Sequence, residues 1–424
     1  MDRNLMGYLT TMARMWLTRS FKPFQFTNKN DRFLVYQNSD KLGLYVHIPF
    51  CRTLCEFCPY CKIVFDKTLA KQYVNALLQE IDMVRQMSNG EKANVSSLYF
   101  GGGSPALLVD DIERIIARLQ KYFTISEGIG LELHPQDITE EVLITLKRAG
   151  VTKISIGIQS FQSEYLAILG RQQIDTERIF AALSNVQFET VSMDFIFALP
   201  GQTFDLLKAD IEFAFNNGIN HIAVYPFIDF TFTNRKFPKM ADAEKKKLLY
   251  QLVSYCEEQG YTRDSIWTFS KDGKSKYSSM TRENFLGFGC SATTLLADQF
   301  KINTFDVTQY IERIEKKQLP TSLTLKFTLR QRMVYYLFWT AYTMRVGRND
   351  FTAFFDVSLE ECYGLELWIA KLLGWVRKEN DEYIMTTRGS YYYHYFEHFY
   401  TLSYIDQMWN LMRNTAFPEN LTIR

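Results

Sequence analysis

The sequence lacks an excess of charge of either sign, because 48 lysine and arginine residues stand against 47 aspartate and glutamate residues. The net charge of +1 provides no dominant electrostatic footprint for a nucleic acid. Long apolar runs are also missing, since the longest, VYYLFWTAY, is far shorter than the ~20 residues that cross a bilayer. The first residues show neither the apolar core nor the cleavage site of a secretory signal. We therefore expect a cytoplasmic protein that binds no nucleic acid.

Cysteine is scarce outside one short stretch. Four of the seven cysteines lie in CRTLCEFCPYC, residues 51–61, directly after an apolar run. The other three, Cys256, Cys290 and Cys362, are scattered and are predicted to be small apolar core residues. Because a reducing cytosol disfavours disulfides, the clustered thiols indicate metal binding or catalysis.

The middle of the chain, roughly residues 43–270, alternates apolar strand-like runs with amphipathic helix-like runs. Strand and helix repeated in this way predict a parallel sheet with helices outside it. Six such units predict an α/β fold in which the sheet forms a partial or complete (β/α) barrel, similar to a TIM barrel. The six predicted strands are LGLYVHI, VSSLYF, GIGLEL, TKISIGI, TVSMDFIF and HIAVYPF.

Glycines and polar side chains cluster where the predicted strands end. The cysteine loop follows the first strand and residues 101–103, all glycine, follow the second. Glu132 ends the third strand, Gln159 ends the fourth, and Asp194 lies within the fifth. Because chemistry in such barrels occurs at the C-terminal strand ends, we expect these residues to share one site.

The composition changes after residue 320. Three predicted helices, a charged hairpin in RKENDEYIMTTRG and a final helix rich in aromatics indicate a winged-helix-like module. The module lacks a basic recognition face, so packing or substrate capture is expected in preference to DNA binding. We therefore predict an N-terminal helical extension over 1–42, a barrel domain with a connecting segment over 43–320, and the helical, aromatic-rich module over 321–424.

The cysteines Cys51, Cys55 and Cys58 have the spacing CxxxCxxC, with Phe57 directly before the third. Thiolates are the ligands that iron–sulfur clusters require. Three of them would hold a [4Fe–4S] cluster and leave one iron open to a substrate or cofactor. The alternative is a zinc ion bound by all four thiolates of the loop.

From Leu42 to about Ala292 the chain resembles the oxygen-independent coproporphyrinogen III oxidase (dehydrogenase) family of radical S-adenosylmethionine (SAM) enzymes. That family also contains heme chaperones and class C radical SAM methyltransferases. The stretches that carry the resemblance are LYVHIPFCRTLCEFC, YFGGGSPALL, LELHP, ISIGIQSFQ, LGRQQ, DFIFALPGQT and FLGFGCSA. Together and in order they are far more specific than any one alone.

The resemblance implies a role for each matching residue. It implies that Cys51, Cys55 and Cys58 bind the cluster, and that Arg171 forms a charge-assisted fork with the methionine carboxylate of SAM. It also implies that SAM is contacted by Tyr45, Phe57, Gly102, Gly103, Ser104, Glu132, Gln159, Asp194, Ile228 and Thr293. Of these, Phe57 would lie against the adenine of SAM. The two glycines and Ser104 would lie at its methionine end. Glu132, Asp194 and Gln159 would accept hydrogen bonds from its ribose hydroxyls or its ammonium group.

The resemblance further implies a reaction. A reduced [4Fe–4S] cluster would cleave SAM to a 5′-deoxyadenosyl radical, which abstracts hydrogen from a large apolar or tetrapyrrole-like substrate, as in porphyrin biosynthesis. A flavodoxin or ferredoxin would supply the electron. Two alternatives remain open: a class C methyltransferase or cyclopropanase that uses two SAM, and a non-catalytic heme-binding chaperone.

Several polar residues and glycines of the sequence also have a simpler structural interpretation. The three glycines could form a phosphate loop, although the lysine of such a loop is absent. Arg171 and Asp194 could form a plain ion pair. His394 and His398 are spaced i, i+4 as in a metal-binding helix, but aromatics surround them and an interfacial pair is expected.

Two segments depart from the family pattern or fall outside it. In the oxidases a fourth cysteine follows the third after one residue, whereas Pro59 and Tyr60 precede Cys61 here, which leaves the role of Cys61 open. The Met and Trp residues of 1–20 predict a helix packed on the barrel in preference to a membrane anchor. The aromatics of residues 390–409 are expected to pack on the module and to cover the barrel mouth.

Overall fold

The computed structural model describes residues 3–29, 36, 41–88, 92–233, 238, 240–273 and 283–423. The strands are β1 Phe24–Thr27, β2 Leu42–Ile48, β3 Phe50–Cys51, β4 Ile63–Val64, β5 Ala93–Val95, β6 Ser97–Gly102, β7 Phe123–Ile125, β8 Ile129–Leu133, β9 Lys153–Gln159, β10 Thr190–Phe197, β11 His221–Pro226, β12 Thr262–Arg263, β13 Thr268–Ser270, β14 Asn284–Phe288, β15 Thr293–Leu296, β16 Gln299–Asn303, β17 Thr321–Lys326, β18 Arg345–Gly347, β19 Val376–Glu379, β20 Glu382–Met385 and β21 Asn420–Ile423.

The helices alternate with the strands through the middle of the chain and dominate its last quarter. They are α1 Arg3–Thr18, α2 Lys67–Gln86, α3 Val109–Tyr122, α4 Glu140–Arg148, α5 Ser163–Ile168, α6 Thr176–Asn185, α7 Phe204–Asn216, α8 Asp242–Glu258, α9 Val307–Glu315, α10 Leu329–Tyr342, α11 Arg348–Phe355, α12 Leu359–Leu372, α13 Thr387–Tyr400 and α14 Asp406–Asn414. Short 3₁₀ turns occupy Pro105–Leu108 and Pro135–Asp137, and a π-helical turn occupies Thr401–Ile405 between α13 and α14.

The large sheet confirms the predicted α/β fold. All six predicted strands form, and they lie side by side and parallel in the order β2, β6, β8, β9, β10, β11. Strand β14 pairs in parallel with the other side of β2. The sheet runs in one hydrogen-bonded series from β12 to β21, so the parallel part is a partial barrel.

The local sequence explains why these elements form. The apolar run LGLYVHI is buried on both faces of β2, as expected for a parallel strand covered by helices. Helix α3 turns Ile112, Ile115, Ile116 and Leu119 inward at helical spacing. Side-chain caps start several helices: Asp66, Thr139 and Thr203 accept hydrogen bonds from the backbone of α2, α4 and α7.

Antiparallel strands extend both edges of the sheet and were not predicted. Strands β14 to β17 form an antiparallel series, to which β1 and β21 add. The N-terminal segment predicted as a helical extension therefore also contains a strand, and β17 carries the sheet across the predicted boundary near residue 320. Strands of four residues such as β1 leave almost no periodic signal, because their stability comes from pairing with distant segments.

The C-terminal module has the predicted order of three helices, α10 to α12, followed by a hairpin of β19 and β20. A third strand, β18, joins that hairpin. The final helix is longer than predicted and is interrupted by the π-helical turn. Most of its aromatics pack within the module: Tyr392 lies 4.9 Å from Trp375 and Tyr393 lies 5.1 Å from Phe338, measured between ring centroids.

A buried carboxylate joins the two parts of the large sheet. Glu80 of α2 accepts hydrogen bonds from the backbone N–H of Gly289 at 2.7 Å, from the Tyr310 hydroxyl at 2.7 Å and from the Asn303 amide at 3.0 Å. Burial raises the pKa of Glu80 to about 7, although these hydrogen bonds oppose the shift. The Glu80 side chain therefore fixes the segment after β14, but its ionised form lowers the stability of the folded protein because it is buried.

We predict that replacing Glu80 with Gln changes how the free energy of unfolding depends on pH. Below pH 4.5 the carboxyl is protonated in both states. Between pH 4.5 and 7 the unfolded chain loses the proton first, so the wild-type protein loses stability as pH rises. The free energy of unfolding of Glu80→Gln, relative to that of the wild type, should therefore rise by about 3 kcal/mol across this range.

Urea unfolding at a series of pH values would measure this shift. Glu113→Gln, on the exposed face of α3, is the matched control and should show no comparable shift. A stability difference between the Glu80 variant and wild type that stays constant from pH 4.5 to 7 would contradict the prediction.

Candidate functional site

The cysteine loop is closed at its base by backbone pairing. Strands β3 and β4 pair in parallel, with Cys51 opposite Val64, and the N–H of Phe65 donates to the Cys51 carbonyl at 2.9 Å. Within the loop the N–H of Cys58 donates to the carbonyl of Cys55 at 3.4 Å, and Lys62 Nζ donates to the Cys58 carbonyl at 2.5 Å. The loop is thus presented as one unit at the end of β2.

The three predicted cluster cysteines lie close enough to influence one another. Burial raises the pKa of the Cys51 thiol to about 12, with further contributions from the sulfurs of Cys58 and Cys55, while Lys62 and Arg171 oppose the shift. Among the described residues, no three His, Cys, Asp or Glu side chains converge on a single-ion site. A cluster does not require such convergence, since its cysteine ligands bind different irons.

Cys61 faces away from the other three. Its side chain is buried, its Sγ lies 3.8 Å from Sγ of Cys290, and it donates to the carbonyl of Phe305 at 3.1 Å. Two interposed residues, Pro59 and Tyr60, turn the chain so that Cys61 enters the core. This geometry does not favour the alternative in which zinc is bound by all four thiolates.

The glycines after β6 allow the backbone to approach this loop closely. A Cβ on Gly103 would lie 2.3 Å from the Phe50 carbonyl oxygen and 2.9 Å from Sγ of Cys51. Gly102 has a φ of +119°, and a Cβ there would lie 2.7 Å from the His47 ring. Both positions therefore require glycine for a steric reason that does not depend on any ligand.

Two carboxyl groups lie on neighbouring parts of the sheet. Glu132 accepts from the Tyr99 hydroxyl at 3.0 Å and from the Gly102 N–H at 3.1 Å, and burial raises its pKa. Burial raises the pKa of Asp194 to about 7; the Ser155 hydroxyl, donating at 2.7 Å, opposes the shift and Glu132 adds to it. A cationic ligand here would favour the ionised form of both.

Arg171 has a buried N–H donor that is not used within the described residues. Its Nη1 donates to the carbonyl of Gly157 at 3.2 Å, its guanidinium lies 5.6 Å from the centroid of the Phe57 ring, and its buried Nε has no partner among the described residues. No ion pair joins Arg171 to Asp194 in the described part of the chain, in contrast to the simpler reading of these two residues.

A cavity of about 1460 Å³ brings most of the predicted site together. It extends from the cysteine loop across the strand ends to the C-terminal module. The predicted residues that line it are Cys51, Cys55, Phe57, Cys58, Gly102, Gly103, Ser104, Glu132, Gln159, Arg171, Asp194 and Ile228.

Two predicted residues do not line this cavity. Tyr45 of β2 stacks on Tyr99 with ring centroids 6.3 Å apart, and its hydroxyl lies 3.1 Å from Nδ1 of His47, so it supports the wall from behind. Thr293 begins β15 and pairs with Ile302 in the antiparallel part of the sheet.

Other lining residues were not predicted. Asp137 is buried and accepts hydrogen bonds from the Ser104 hydroxyl and from Nε of Arg52, so it orients both. The only sequence signal for Asp137 is its position three residues after His134, the histidine of the LELHP stretch. Trp409 of α14 stacks on Phe230 with centroids 5.8 Å apart and was predicted only as one of many tail aromatics.

The C-terminal helix α14 closes one side of the cavity. Trp409 also lies 5.9 Å from Tyr60 of the cysteine loop, measured between ring centroids. Asp406 accepts hydrogen bonds from the N–H and hydroxyl of Thr231 at 2.7 and 2.6 Å, and Arg413 donates to the Pro59 carbonyl. The module is therefore anchored both to the cysteine loop and to the segment after β11.

Residues 45–214 match the family description "Radical SAM superfamily". This stretch begins in β2 and ends in α7, so it covers the cysteine loop and both carboxylates. The chain therefore contains a radical SAM domain, a class in which a [4Fe–4S] cluster and SAM are bound.

Curated relatives of two kinds are similar to the chain. The heme chaperone HemW of Bacillus subtilis (strain 168) is 28% identical over 305 residues, covering 68% of this chain and 80% of the relative. The oxygen-independent coproporphyrinogen III oxidase of Escherichia coli (strain K12) is 29% identical over 304 residues, covering 65% and 66%. The crystal structure of coproporphyrinogen III oxidase (HemN) from Escherichia coli aligns with a TM-score of 0.75 and 22% identity, over 91% of this chain and 98% of that one. The predicted resemblance and the radical SAM fold are thus confirmed.

The donor set fits a [4Fe–4S] cluster and SAM. Three cysteine thiols face one cavity while the fourth is turned into the core. The partnerless Nε of Arg171 and the carboxyls of Glu132 and Asp194 offer complementary groups for an amino acid carboxylate and a cation.

We predict that replacing Cys51, Cys55 or Cys58 with Ala abolishes the iron content and the charge-transfer absorbance of the reconstituted protein, because each would remove one of three ligands. Cys61→Ala is the matched control within the same loop and should retain both. Loss of iron in the Cys61 variant together with its retention in Cys58→Ala would reverse the assignment.

Proposed function

We propose that this protein is a radical SAM enzyme that abstracts hydrogen from a large apolar or tetrapyrrole-like substrate, in the manner of its coproporphyrinogen oxidase relatives. The observation that carries the proposal is the single cavity of about 1460 Å³ that joins the cysteine loop to the C-terminal module. A volume of this size accommodates SAM beside a second, large molecule.

The residues around the cysteine loop would bind SAM. Cys51, Cys55 and Cys58 would hold the cluster, and Arg171 would bind the methionine carboxylate with its free hydrogen-bonding capacity. When bound, the cluster and SAM supply reductive cleavage of SAM and hydrogen abstraction by the resulting adenosyl radical. The flavodoxin or ferredoxin that would deliver the electron belongs to the proposal as well.

The remaining predicted residues would orient SAM. Glu132 and Asp194, with Gln159, would accept hydrogen bonds from its ribose or ammonium groups, and Phe57 would lie against the adenine. Gly102, Gly103 and Ser104 would approach the methionine end, and Ile228 would contact the periphery. For Tyr45 and Thr293, which do not line the cavity, we propose only an indirect role.

The outer part of the cavity supports a large substrate with both apolar and acidic parts. Aromatic side chains, among them Tyr225, Trp267, Trp339 and Tyr342, line it together with Arg263 and Arg388, and with Arg345 and Arg377, which pair with Glu382 and Glu379. Aromatic rings offer wide contact area for a flat molecule, and arginines pair with carboxylates. Both features suit a tetrapyrrole that carries acidic side chains.

Anaerobic incubation of the reconstituted protein with SAM, dithionite and coproporphyrinogen III would test the proposal. Mass spectrometry should detect 5′-deoxyadenosine and methionine, and a substrate product formed in proportion to them. The Cys58→Ala protein is the control and should form none of these. A reconstituted protein that binds SAM but never cleaves it would overturn the proposal.

The same experiment distinguishes the alternatives. Formation of S-adenosylhomocysteine and a methylated product would indicate a class C methyltransferase that uses two SAM, for which the cavity also has room. The similarity to HemW favours a heme chaperone as the second candidate. Tight binding of hemin without SAM cleavage would establish that function instead.

We predict that Trp409→Ala uncouples SAM cleavage from substrate turnover. Trp409 closes the cavity between Phe230 and Tyr60, so its loss should admit water and loosen the substrate. The ratio of substrate product to 5′-deoxyadenosine should fall severalfold while iron content is unchanged.

Phe396→Ala is the matched control, because Phe396 lies on α13, is exposed and does not line the cavity. It should leave the ratio at the wild-type value. If both variants keep that ratio, α14 contributes packing alone.

A further inference from the structure

Helix α1 has its polarity reversed relative to an ordinary surface helix. Three of its polar residues face the protein: Arg14 and Thr18 are buried, and Thr10 Oγ1 lies 3.5 Å from Ser403 Oγ. Met12 and Trp16, each 52% exposed, face solvent, which corrects the prediction that the Met and Trp residues of this segment pack on the barrel. The outward face of the helix consists of Tyr8, Leu9, Met12 and Trp16.

Helix α12 of the C-terminal module also presents an apolar stripe to solvent. Leu365, Trp368 and Leu372 follow one another at spacings of three and four residues, so they share one face. Trp368 is 60% exposed and Leu372 is 71% exposed, and the neighbouring Ile369 and Leu373 are exposed too.

The two faces adjoin. Arg19, directly after α1, forms an ion pair with Glu366 of α12, and its guanidinium lies 4.7 Å from the centroid of the Trp16 ring. The Tyr363 hydroxyl of α12 donates to the carbonyl of Leu17 at 3.4 Å. The exposed residues of α1 and α12, which we call the α1–α12 surface, therefore lie side by side and meet at the Arg19–Glu366 ion pair. Contiguous exposed areas of this kind on a monomer usually mark an interaction site.

On the α1 side Arg14 is buried and Arg19 pairs with Glu366, so Lys22 carries the exposed positive charge there, and α12 adds Lys371 in its last turn. Residues 3–24 contain four basic residues and no acidic residue. Lys22 and Lys371 are exposed and have no acidic partner among the described residues. Phe21, directly before Lys22, is 85% exposed.

We propose that the α1–α12 surface docks the protein onto an anionic lipid bilayer as a peripheral membrane protein. Trp, Tyr and Phe are the side chains that prefer the boundary between headgroups and acyl chains. Apolar residues bordered by lysine and arginine bind anionic lipids through burial and charge together. No helix within the described ranges is long and apolar enough to cross a membrane.

The positive border distinguishes a bilayer from a second copy of this chain. A second copy offers one exposed acidic residue on this stripe, Glu361, for the two lysines, whereas an anionic bilayer offers negative charge to both of them. Anionic headgroups instead complement these charges. The inference is independent of the chemistry in the cavity, because none of these residues lines it.

Vesicle flotation with the full-length, cluster-reconstituted protein tests the proposal. The protein should float with vesicles of phosphatidylcholine mixed with phosphatidylglycerol, and only weakly with phosphatidylcholine alone. Trp16→Glu and Trp368→Glu should each weaken binding by about tenfold or more, since each places a charge where an aromatic ring would be buried. Lys22→Glu combined with Lys371→Glu should remove the preference for anionic vesicles.

Two matched controls separate this effect from a general one. Ile144→Glu alters an exposed apolar residue on α4, and Lys71→Glu alters an exposed lysine on α2; both should bind vesicles like the wild type. Iron content and circular dichroism confirm that each variant is folded. All the altered positions are exposed, so folding should be retained.

Three outcomes would overturn the proposal. The first is an absence of flotation with anionic vesicles. The second is flotation that is unaffected by the tryptophan substitutions. The third is a wild-type dimer in light scattering that Trp16→Glu converts to a monomer without any vesicle binding, which would assign the α1–α12 surface to a second copy.

Discussion

The close backbone contact between the end of β6 and the segment that leads into the cysteine loop is the constraint on which the candidate site depends. The N–H of Gly103 donates to the Ile48 carbonyl and the N–H of Ser104 donates to the Phe50 carbonyl, each at 2.7 Å. These bonds continue the pairing of β2 with β6 beyond its regular register, and they fix Cys51 beside the glycines. Any side chain at Gly103 would occupy the space of the Phe50 carbonyl, so the contact exists only because that residue has no Cβ.

The charge distribution of the cavity follows from the parallel order of the strands. Because β6, β8 and β10 end on the same side of a parallel sheet, the Gly102 N–H, Glu132 and Asp194 open into one space. Burial disfavours the ionised carboxyls, and the protein compensates them only partly, through Tyr99 and Ser155. Such incompletely compensated groups are characteristic of binding sites, where a ligand completes the hydrogen bonding.

Much of the parallel part of the fold was predictable, and the reasons are physical. Each of the six parallel strands is an apolar run bounded by amphipathic helices, so periodicity and strand order carry the signal locally. The glycines, Glu132, Gln159 and Asp194 were predicted to share a site because they lie at or near strand ends, and Arg171 was added by the family resemblance. In contrast, β1 and β21 are short strands that pair across the length of the chain, and nothing within either segment indicates its partner.

The orientation of single side chains was the least predictable property. Cys61 resembles its three neighbours in sequence, yet two interposed residues direct it to Cys290 in the core. Trp16 and Met12 look like core residues in a helix, but the polar atoms of Thr10 and Arg14 face the protein instead. Both cases depend on distant segments, Cys290 and Ser403 respectively, which a local pattern does not contain.

The π-helical turn between α13 and α14 makes the position of Trp409 depend on residue count as well as on residue type. A π turn accommodates one additional residue, and each residue advances a helix by about 100° around its axis. The aromatics of α13 therefore face the module while Trp409 faces the cavity, although the two helices are continuous along the chain. The orientation of α14 about its axis is set at Thr401–Ile405, so an insertion or deletion in those five residues would turn Trp409 away from the cavity although Trp409 itself is unchanged.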